Sequence, residues 1–405
     1  MSTGSKSRLK ILLSAFACRP NAGSEWGVGW NFFNQLSKHH EVHLITELEF
    51  KDEILVESNK LKIPADRIHF VDIGKTGRRK LHNQGDWSFY YYYRSWQMKA
   101  LQKGCRLHDE NEFDIAHHLN MIGFREPGSL HKLDIPFILG PLGGFGGVPN
   151  NYFEVGFGKQ RLKNKVKTGL NYLSMFLPHV RAAIRHADCV IAAYPEAAKA
   201  LAQHFNVLST IIPETGSTKV DVSNTQRKNF IWIGKNLVRK QFQLAAEAFL
   251  RSQISKSEKL FVIGKFQEDE IAKWSRNSNI VFLGEISRID VLTQLSNARA
   301  LIFSSLHEGN PHVVYEAIST FTPIICHNSY GMGFAVDESI GIKIEVANYK
   351  NSLVNFSDAI DQICLMNFSE NDFKRVQENN SWENRVAKIN MLYKDVISKT
   401  AMKNT

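Results

Sequence analysis

Short apolar runs rich in β-branched residues alternate with amphipathic stretches along most of the 405-residue chain. Several of these runs are apolar at nearly every position, which is typical of strands that are covered on both faces. Amphipathic stretches such as residues 26–38 and 243–250 lie between them, and this alternation predicts parallel sheets with helices on both sides. The predicted strands are residues 10–17, 41–46, 67–73, 114–118, 136–140, 189–193, 209–212, 230–234, 260–264, 280–284, 300–304 and 323–326.

A polar segment, residues 213–227 (PETGSTKVDVSNTQR), divides these strands into two series. It has little apolar periodicity, which is typical of an interdomain linker, and the chain is too long for one ordinary hydrophobic core. We therefore predict an α/β fold with two Rossmann-like, doubly wound domains facing a central cleft, over residues 1–212 and 225–380. In such sheets, ligands bind beyond the carboxyl ends of the strands.

Charge and cysteine content narrow the class of protein. The net charge of +10 favours anionic partners, namely nucleotides, phospholipid headgroups or nucleic acid. No apolar run is long enough to span a bilayer, and the polar N-terminus lacks the apolar core of a secretory signal. The five cysteines are scattered, odd in number and without a C-x-x-C pair. This pattern predicts reduced thiols in a cytoplasmic protein, rather than a disulfide framework or a zinc site.

Residues 299–326 (RALIFSSLHEGNPHVVYEAISTFTPIIC) combine a strand, a turn and a helix. Asn310 is a good N-cap and Pro311 a good first helical residue for a helix over residues 312–319. The first N–H groups of that helix, from His312, Val313 and Val314, would form an anion site suited to a diphosphate. A capped helix after a strand is also ordinary α/β architecture.

Glu308 and Glu316 stand eight positions apart on either side of that helix start. Their carboxylates can accept hydrogen bonds from a sugar hydroxyl and from a ribose diol, respectively. The run EGNPHVVYEA, followed by TPIIC and then by Gly331 and Gly333, resembles the E-x7-E region of retaining glycosyltransferases of the GT-B fold, most closely glycosyltransferase family 4. Other segments resemble that family in the same order along the chain: ACRPNAGSEWGVGW, FDIAHHLNMIGFREP, ILGPLGGFGGVP, RHADCVIAA, FIWIGKNLVRKQF, IVFLGEIS and SWENRVAKINMLY.

The resemblance implies a donor site for a nucleoside-diphosphate sugar. The diphosphate would lie at the start of the helix, where Lys235 and Lys240 offset the charge that develops as the glycosidic bond breaks. Lys235 stands where the family usually has arginine, whose planar fork binds phosphate differently. Glu316 would bind the ribose and Glu308 the sugar. The donor-binding residues implied are Gly23, Lys235, Lys240, Gly284, Glu285, Glu308, Gly309, Asn310, Pro311, His312, Val313 and Glu316.

The first half of the chain is implied to supply the acceptor side and a histidine near the sugar. Ser24 would cap a helix that starts at Glu25, although a tight βα turn explains the same residues. Because adjacent strand residues point to opposite faces, we expect at most one of His117 and His118 to face the ligand, and the sequence leaves open which. Asn120 and Arg125 have equally good structural roles, whereas for the glycine-dense loop an acceptor-side role is favoured over a flexible loop that needs positive φ values. The catalytic residues implied are His118, His117, Lys240 and Glu308, and the acceptor-side residues are Ser24, Glu25, Asn120, Arg125, Gly143 and Gly144.

Two basic and aromatic stretches, residues 77–103 and 159–185, have two interpretations. Each can lie on an anionic bilayer surface with its aromatic side chains in the interface. Each can instead pack on its sheet and leave a solvated basic face. Interleaved aromatic and basic residues also bind single-stranded nucleic acid, but no RNA-binding motif accompanies them, so we expect no nucleic-acid partner.

Missing motifs argue against other enzyme classes. The sequence has no D-x-D triplet, no G-x-x-x-x-G-K-[ST] phosphate loop and no G-x-G-x-x-G after the first strand. Kinase, ATPase and simple dehydrogenase activities are therefore disfavoured, and we expect no metal and no cofactor.

The resemblance implies a retaining hexosyltransferase of the GT-B fold. A hexose would pass from a nucleoside-diphosphate sugar to a hydroxyl of a glycan or lipid-linked acceptor, in cell-surface polysaccharide or glycolipid synthesis. The acceptor would attack from the face that the diphosphate leaves, with a diphosphate oxygen as base. A last helix over residues 381–405 would pack back on the first domain. The alternatives are a nucleotide-sugar epimerase or hydrolase of the same fold, and a basic module that binds membrane or nucleic acid. We expect a cytoplasmic protein with peripheral contact to the inner face of an anionic membrane.

Overall fold

The chain folds around two parallel β-sheets that match the two series of predicted strands. The computed structural model describes residues 8–81, 88–119, 121, 123–148, 152, 158–220 and 227–403. Contacts divide the chain into a first unit, Met1–Gly146 with Leu170–Thr215 and Arg385–Thr405, and a second unit, Gly147–Gly169 with Gly216–Asn384. Residues 147–169, which the prediction placed in the first domain, thus group with the second unit.

The first unit contains a seven-stranded sheet in the order β3-β2-β1-β4-β5-β6-β7, in which every pairing is parallel. Each strand coincides with a predicted run to within a few residues, because continuous apolar runs can be buried only in the middle layer. Helices pack against this sheet. The strands are β1 Lys10–Ala15, β2 Glu41–Glu47, β3 Ile68–Val71, β4 Ile115–Leu119, β5 Phe137–Leu142, β6 Cys189–Ala192 and β7 Ser209–Ile211; the helices are α1 Ser24–Ser37, α2 Lys51–Lys60, α3 Gly74–Leu81, α4 Ser88–Asn111, α5 Gly158–Ser174 (which begins in the second unit), α6 Pro178–His186 and α7 Pro195–Phe205.

The second unit contains a six-stranded parallel sheet in the order β10-β9-β8-β11-β12-β13. The prediction omitted β13, a four-residue edge strand (GIKI) that pairs with β12 alone and is only half buried. The strands are β8 Phe230–Ile233, β9 Leu260–Ile263, β10 Ile280–Gly284, β11 Ala300–Phe303, β12 Ile324–His327 and β13 Gly341–Ile344; the helices are α8 Phe242–Arg251, α9 Glu268–Trp274, α10 Arg288–Asn297, α11 His312–Ser319, α12 Tyr330–Ala335, α13 Tyr349–Ile363, α14 Glu370–Asn379 and α15 Trp382–Lys403, whose later turns belong to the first unit.

Each sheet has one point at which the strand order reverses direction. In the first sheet β1 lies between β2 and β4, and in the second sheet β8 lies between β9 and β11. The connections on the two sides of such a point lead away from each other, so a crevice opens beyond the carboxyl ends of the two central strands. The loops after β1, β4, β8 and β11 border these crevices, so we expect ligand sites there.

The last helix packs on the first sheet. The Tyr393 hydroxyl lies 2.7 Å from His117 Nδ1, and Asn390 Oδ1 lies 2.8 Å from His40 Nε2. Tyr393 is completely buried. Within the described ranges, no helix is both long enough and apolar enough to cross a bilayer.

The first of the two basic and aromatic stretches is largely a core element. Phe89, Tyr93 and Trp96 on α4 are buried, and Trp96 Nε1 donates a hydrogen bond of 3.1 Å to the carbonyl of Val71. Tyr91 is exposed. This placement favours the packed-helix interpretation for α4 over the bilayer interpretation.

Candidate functional site

Two loops of the second unit, after β8 and after β11, are fastened to each other at the reversal point. The buried Ser304 hydroxyl accepts a 3.1 Å hydrogen bond from Trp232 Nε1 and lies 2.9 Å from the carbonyl of Lys240. The N–H of Leu306 donates to the carbonyl of Arg239 at 2.9 Å. Because buried polar groups are costly to leave unpaired, these bonds hold the backbone of residues 239–240 beside the turn that carries Glu308.

Glu308 is the centre of a cluster of charges in these loops. Its Oε1 lies 2.9 Å from Lys240 Nζ and also pairs with the guanidinium of Arg239. The Glu308 and Lys240 side chains are 14% and 15% exposed, whereas Arg239 is 41% exposed. Glu308 Oε2 has no protein hydrogen-bond partner within the described ranges. One oxygen is therefore held by cations, while the other remains able to accept a hydrogen bond from a ligand.

Glu316 lies on α11 and forms a second ion pair. Arg288, the first residue of α10, donates from Nε to Glu316 Oε1 at 3.2 Å. The Glu316 side chain is 20% exposed, and Arg288 is 54% exposed. Burial raises the pKa of the Glu316 carboxyl, and the positive charge of Arg288 offsets part of that rise.

The start of α11 differs from the prediction. The helix begins at His312 as predicted, but Pro311 occupies the N-cap position with φ −71° and ψ 116° and provides no side-chain cap. Asn310 precedes the N-cap position, and its Oδ1 accepts a 3.0 Å hydrogen bond from the Tyr315 hydroxyl. The N–H of Val314 donates to the carbonyl of Pro311 at 3.0 Å. The predicted group of three open N–H donors is therefore wrong at Val314, since the first turn is tightened by this short-range bond.

Gly331, which follows β12, allows close packing against the turn that carries Glu308. A Cβ atom on Gly331 would lie 1.4 Å from the carbonyl oxygen of Gly309. The N–H of Gly331 also donates to the carbonyl of Glu308 at 3.3 Å. Any side chain at Gly331 would therefore displace the Glu308 turn.

Three other predicted donor residues lie at the same edge of the sheet but outside these ion pairs. Lys235 is exposed, and within the described residues no ion pair involves its side chain. Gly284 ends β10 with φ +70°, and its carbonyl accepts from the N–H of Gly264 at 2.8 Å. Glu285 follows it and is exposed. β9 separates β10 from β8, so Gly284 and Glu285 do not belong to the Glu308 cluster.

A pocket of about 290 Å³, counting its open mouth, lies at the reversal point of the first sheet. Glu25 and Glu214 contribute carboxylates to an otherwise mainly apolar wall. The helix beside it begins at Ser24, with Gly23 at the N-cap, so the prediction that Ser24 caps a helix starting at Glu25 is wrong by one residue. The pocket is lined by Ala15, Phe16, Ala17, Glu25, Val28, Gly29, Leu119, Met121 and Glu214.

His117 and His118 lie on β4 and are both buried. His117 is a bonded core residue, because its Nδ1 lies 2.7 Å from the Tyr393 hydroxyl and its Nε2 lies 2.8 Å from the carbonyl of Gly140. Burial lowers the pKa of His117 to about 4 and that of His118 to about 3, so both rings are neutral near pH 7. Neither ring nitrogen of His118 has a partner among the described residues. Gly128 leaves room for this ring, since a Cβ atom there would lie 2.8 Å from His118 Nε2.

The remaining acceptor-side residues lie in the loops after β4 and β5. The guanidinium of Arg125 lies over the ring of Tyr90, with its Cζ 5.6 Å from the ring centroid. The carbonyl of Gly143 accepts from the N–H of Phe124 at 3.1 Å, which holds the two loops together. Gly144 has φ +80°. Asn120 lies outside the described residues.

Three residues that lie at these sites were not predicted from the sequence. Arg239 directly precedes Lys240, and this pair of adjacent basic residues was a signal. Arg288 follows the IVFLGEIS segment, but its pairing with Glu316 joins residues 28 positions apart. Glu214 fell in the segment interpreted as a linker. No group of three or more histidine, cysteine or acidic residues is arranged to hold a metal ion in the part of the chain that the structure describes.

Comparison with known proteins identifies the architecture. Residues 217–380, which contain the Glu308 cluster and Glu316, match the family model of glycosyl transferases group 1. No curated protein sequence matches the chain. The solved structures it is similar to include three that it covers almost completely, and this likeness shows that the chain has the GT-B fold. They are sucrose-phosphate synthase from Thermosynechococcus elongatus (TM-score 0.62, 16% identity, 97% of this chain and 100% of that chain), a glycosyltransferase from Rickettsia africae (0.61, 14%, 96% and 99%) and Anabaena HepE in complex with UDP (0.56, 12%, 95% and 99%).

Proposed function

We propose that this protein is a retaining glycosyltransferase that moves a hexose from a nucleoside-diphosphate sugar to a hydroxyl of a glycan or lipid-linked acceptor. The observation that carries the proposal is the charge cluster of Glu308, Arg239 and Lys240, with Glu316 nearby in sequence on α11. This cluster lies at the reversal point of the second sheet, inside the segment matched to glycosyl transferases group 1. The GT-B fold of the whole chain supports the same conclusion.

The ion pairs of the second unit suit a donor that carries both negative charge and hydroxyl groups. Arg239 and Lys240 are both bound to one oxygen of Glu308, so a diphosphate can compete for either cation without leaving the carboxylate unpaired. Oε2 of Glu308 accepts from a sugar hydroxyl, and Glu316 accepts from the ribose hydroxyls. Anabaena HepE was solved with UDP, which supports testing uridine nucleotides first.

In the transfer step, the negative charge that develops on the leaving diphosphate must be stabilised. The bond between the anomeric carbon and the diphosphate oxygen breaks, and the acceptor oxygen bonds to that carbon on the same face. The acceptor proton passes to the departing diphosphate oxygen. Lys240 and Arg239 stabilise the negative charge on the diphosphate. Electrostatic stabilisation of this kind is usually the largest single contribution to catalysis.

The pocket of the first unit suits the acceptor. Carboxylates accept hydrogen bonds from hydroxyl groups, and Glu25 and Glu214 present two of them beside an apolar wall. Such a lining complements a hydroxyl-rich molecule and offers no cation to a phosphate. We therefore assign the acceptor to the first unit and the donor to the second.

A two-stage experiment tests the proposal. A thermal-shift screen with UDP, GDP and ADP should show stabilisation by one nucleotide, because a ligand that binds only the native state raises Tm. The shift should be lost in Glu316→Ala and kept in Glu268→Ala, an exposed glutamate of the same unit. The corresponding sugar nucleotide is then incubated with glycan and lipid-linked acceptors, and the anomeric configuration of the product is read by NMR.

Each stage has an outcome that contradicts the proposal. If no nucleotide raises Tm, the donor site is wrong. Release of free sugar with no acceptor product would indicate a hydrolase, and conversion of the donor sugar to an isomer would indicate an epimerase. A product with inverted anomeric configuration would exclude the retaining reaction.

A further inference from the structure

Helix α5 and the turn after it expose a line of apolar side chains. The residues Leu162, Val166, Leu170, Leu173 and Leu177, hereafter the α5 stripe, follow one another at intervals of three or four residues. Their exposed fractions range from 40% at Leu177 to 65% at Leu162. At ~100° per residue, the four positions within the helix, Leu162, Val166, Leu170 and Leu173, fall within an arc of roughly 80° on one side of it, and Leu177 follows in the turn.

The opposite side of α5 attaches the helix to the protein. Asn164 donates from Nδ2 to the carbonyl of Val148 at 2.7 Å, and Asn171 donates to the carbonyl of Gly144 at 3.0 Å. Asn171 and Met175 are buried. These positions lie roughly 180° to 220° around the helix from Leu162. The helix therefore turns polar anchors inward and its apolar stripe outward, which reverses the usual pattern of a surface helix.

Basic residues flank the α5 stripe on both sides. Lys163 and Lys167 lie on one side of it and Lys165 on the other, and all three are exposed. Residues 158–177 contain five basic residues and no acidic residue. The exposed rings of Tyr172 and Phe176 lie beside the stripe on the side of Lys165. An apolar line with lysines along its margins complements a surface that is apolar inside and anionic outside.

We propose that α5 docks this protein on an anionic lipid bilayer, with the α5 stripe in the interfacial layer and the lysines on the headgroups. The positive charge of the helix favours an anionic bilayer over a second copy of the chain. A second copy of the chain would bring the same lysines against these, and that repulsion disfavours a symmetric dimer through the stripe. A bilayer containing acidic phospholipid supplies both the apolar layer and the negative charge. The inference does not depend on the proposed transferase activity.

Vesicle binding tests the proposal directly. The 405-residue protein should co-sediment with vesicles of equal parts phosphatidylcholine and phosphatidylglycerol, and at least roughly tenfold less with phosphatidylcholine alone. Binding to the anionic vesicles should weaken as salt is added. The double variant Leu170→Glu/Leu173→Glu should lose binding by roughly tenfold or more, since two charges enter the apolar face.

A charge-matched control separates the stripe from net charge. Leu208→Glu/Leu365→Glu makes the same change of charge at two leucines that are 92% and 86% exposed elsewhere. This control should keep the binding of the unaltered protein. Circular dichroism and the Tm should be unchanged in both double variants, which shows that loss of binding is not loss of folding.

Three results would overturn the proposal. The first is absence of binding of the unaltered protein to anionic vesicles. The second is equal loss in the stripe variant and in the control. The third is a dimer, seen by light scattering, that Leu170→Glu/Leu173→Glu converts to a monomer, because the stripe would then be a self-association surface.

Discussion

The reversal points of the two sheets share one topology and differ in charge. At the second sheet, Arg239 and Lys240 pair with Glu308, and Arg288 pairs with Glu316. At the first sheet, the pocket is lined by two glutamates and small or apolar residues, with no lysine or arginine among its lining residues. The same arrangement of strands therefore creates two crevices, and only the side chains at the strand ends decide what each can bind.

This difference in charge favours different ligands at the two sites. Cations that are already paired with carboxylates can exchange partners with a diphosphate, whereas carboxylates beside an apolar wall suit hydroxyl groups. The following experiments test whether the two sites are separable, from the largest expected effect to the smallest.

Lys240→Ala should have the largest effect. We expect kcat/KM to fall roughly 10²–10³-fold, because a fixed positive charge is removed from the leaving diphosphate. Lys235→Ala is the matched control in the same loop, since Lys235 is exposed and has no ion pair within the described part of the chain. Steady-state kinetics with the donor identified by thermal shift measures both. Equal losses in the two variants would contradict the importance of the Glu308 cluster.

Glu316→Ala should weaken nucleotide binding by roughly 10- to 150-fold, which corresponds to about 1.5–3 kcal/mol for a hydrogen bond to a charged group. Arg288→Ala should have a smaller effect, because Arg288 is 54% exposed and solvent replaces it. Calorimetric titration with the nucleotide measures both affinities. If Glu316→Ala also changed the KM for the acceptor to the same extent, the two sites would not be separable.

Glu214→Gln should affect the acceptor alone. The substitution keeps the shape of the side chain but removes the charge, so we expect the acceptor KM to rise roughly fivefold, or about 1 kcal/mol. The nucleotide affinity should not change. Glu25→Gln provides an independent test at the same pocket. A loss of nucleotide affinity with an unchanged acceptor KM would reverse the assignment of the two sites.

The change of nucleotide affinity with pH should be the smallest of these effects. Burial raises the pKa of Glu316, so its carboxylate takes up a proton at a higher pH than an exposed glutamate. The protonated form accepts hydrogen bonds less well, and nucleotide affinity should therefore fall as pH decreases through this raised pKa. Glu316→Gln cannot titrate and should lose this component, while the titration of the nucleotide itself remains in both proteins. Identical pH profiles for the two proteins would contradict a role for the Glu316 charge.

Much of the fold was predictable because its signals are local. The strand before the Glu308 turn and the helix after it were predicted from residues 300–319, and the structure confirms the helix His312–Ser319. The cap of that helix was not predictable from residue preference. Asn310 is an excellent N-cap, but the buried Tyr315 hydroxyl takes its oxygen. This hydrogen bond joins residues five apart in one segment, and the preference of about 1 kcal/mol for Asn at the N-cap did not predict it.

The two basic and aromatic helices show the same limit. α4 buries Phe89, Tyr93 and Trp96, whereas α5 exposes the α5 stripe. Both stretches are basic and aromatic, and from the sequence each fits the same two interpretations. Burial depends on which face meets the sheet, and that is decided by anchors such as Asn171, which lies far from its partner in the chain.

The sequence by itself determined the α/β class, the two series of strands and the positions of Glu308 and Glu316 beside a helix start. These features follow from periodicity and spacing within short segments. Tertiary structure alone decided that Arg239 and Lys240 share one oxygen of Glu308 and that Arg288 pairs with Glu316. It also decided that α5 presents its apolar face to solvent. The physical reason is that charge pairing and burial depend on distances in space between residues from different elements, and a single sequence records only their separation along the chain.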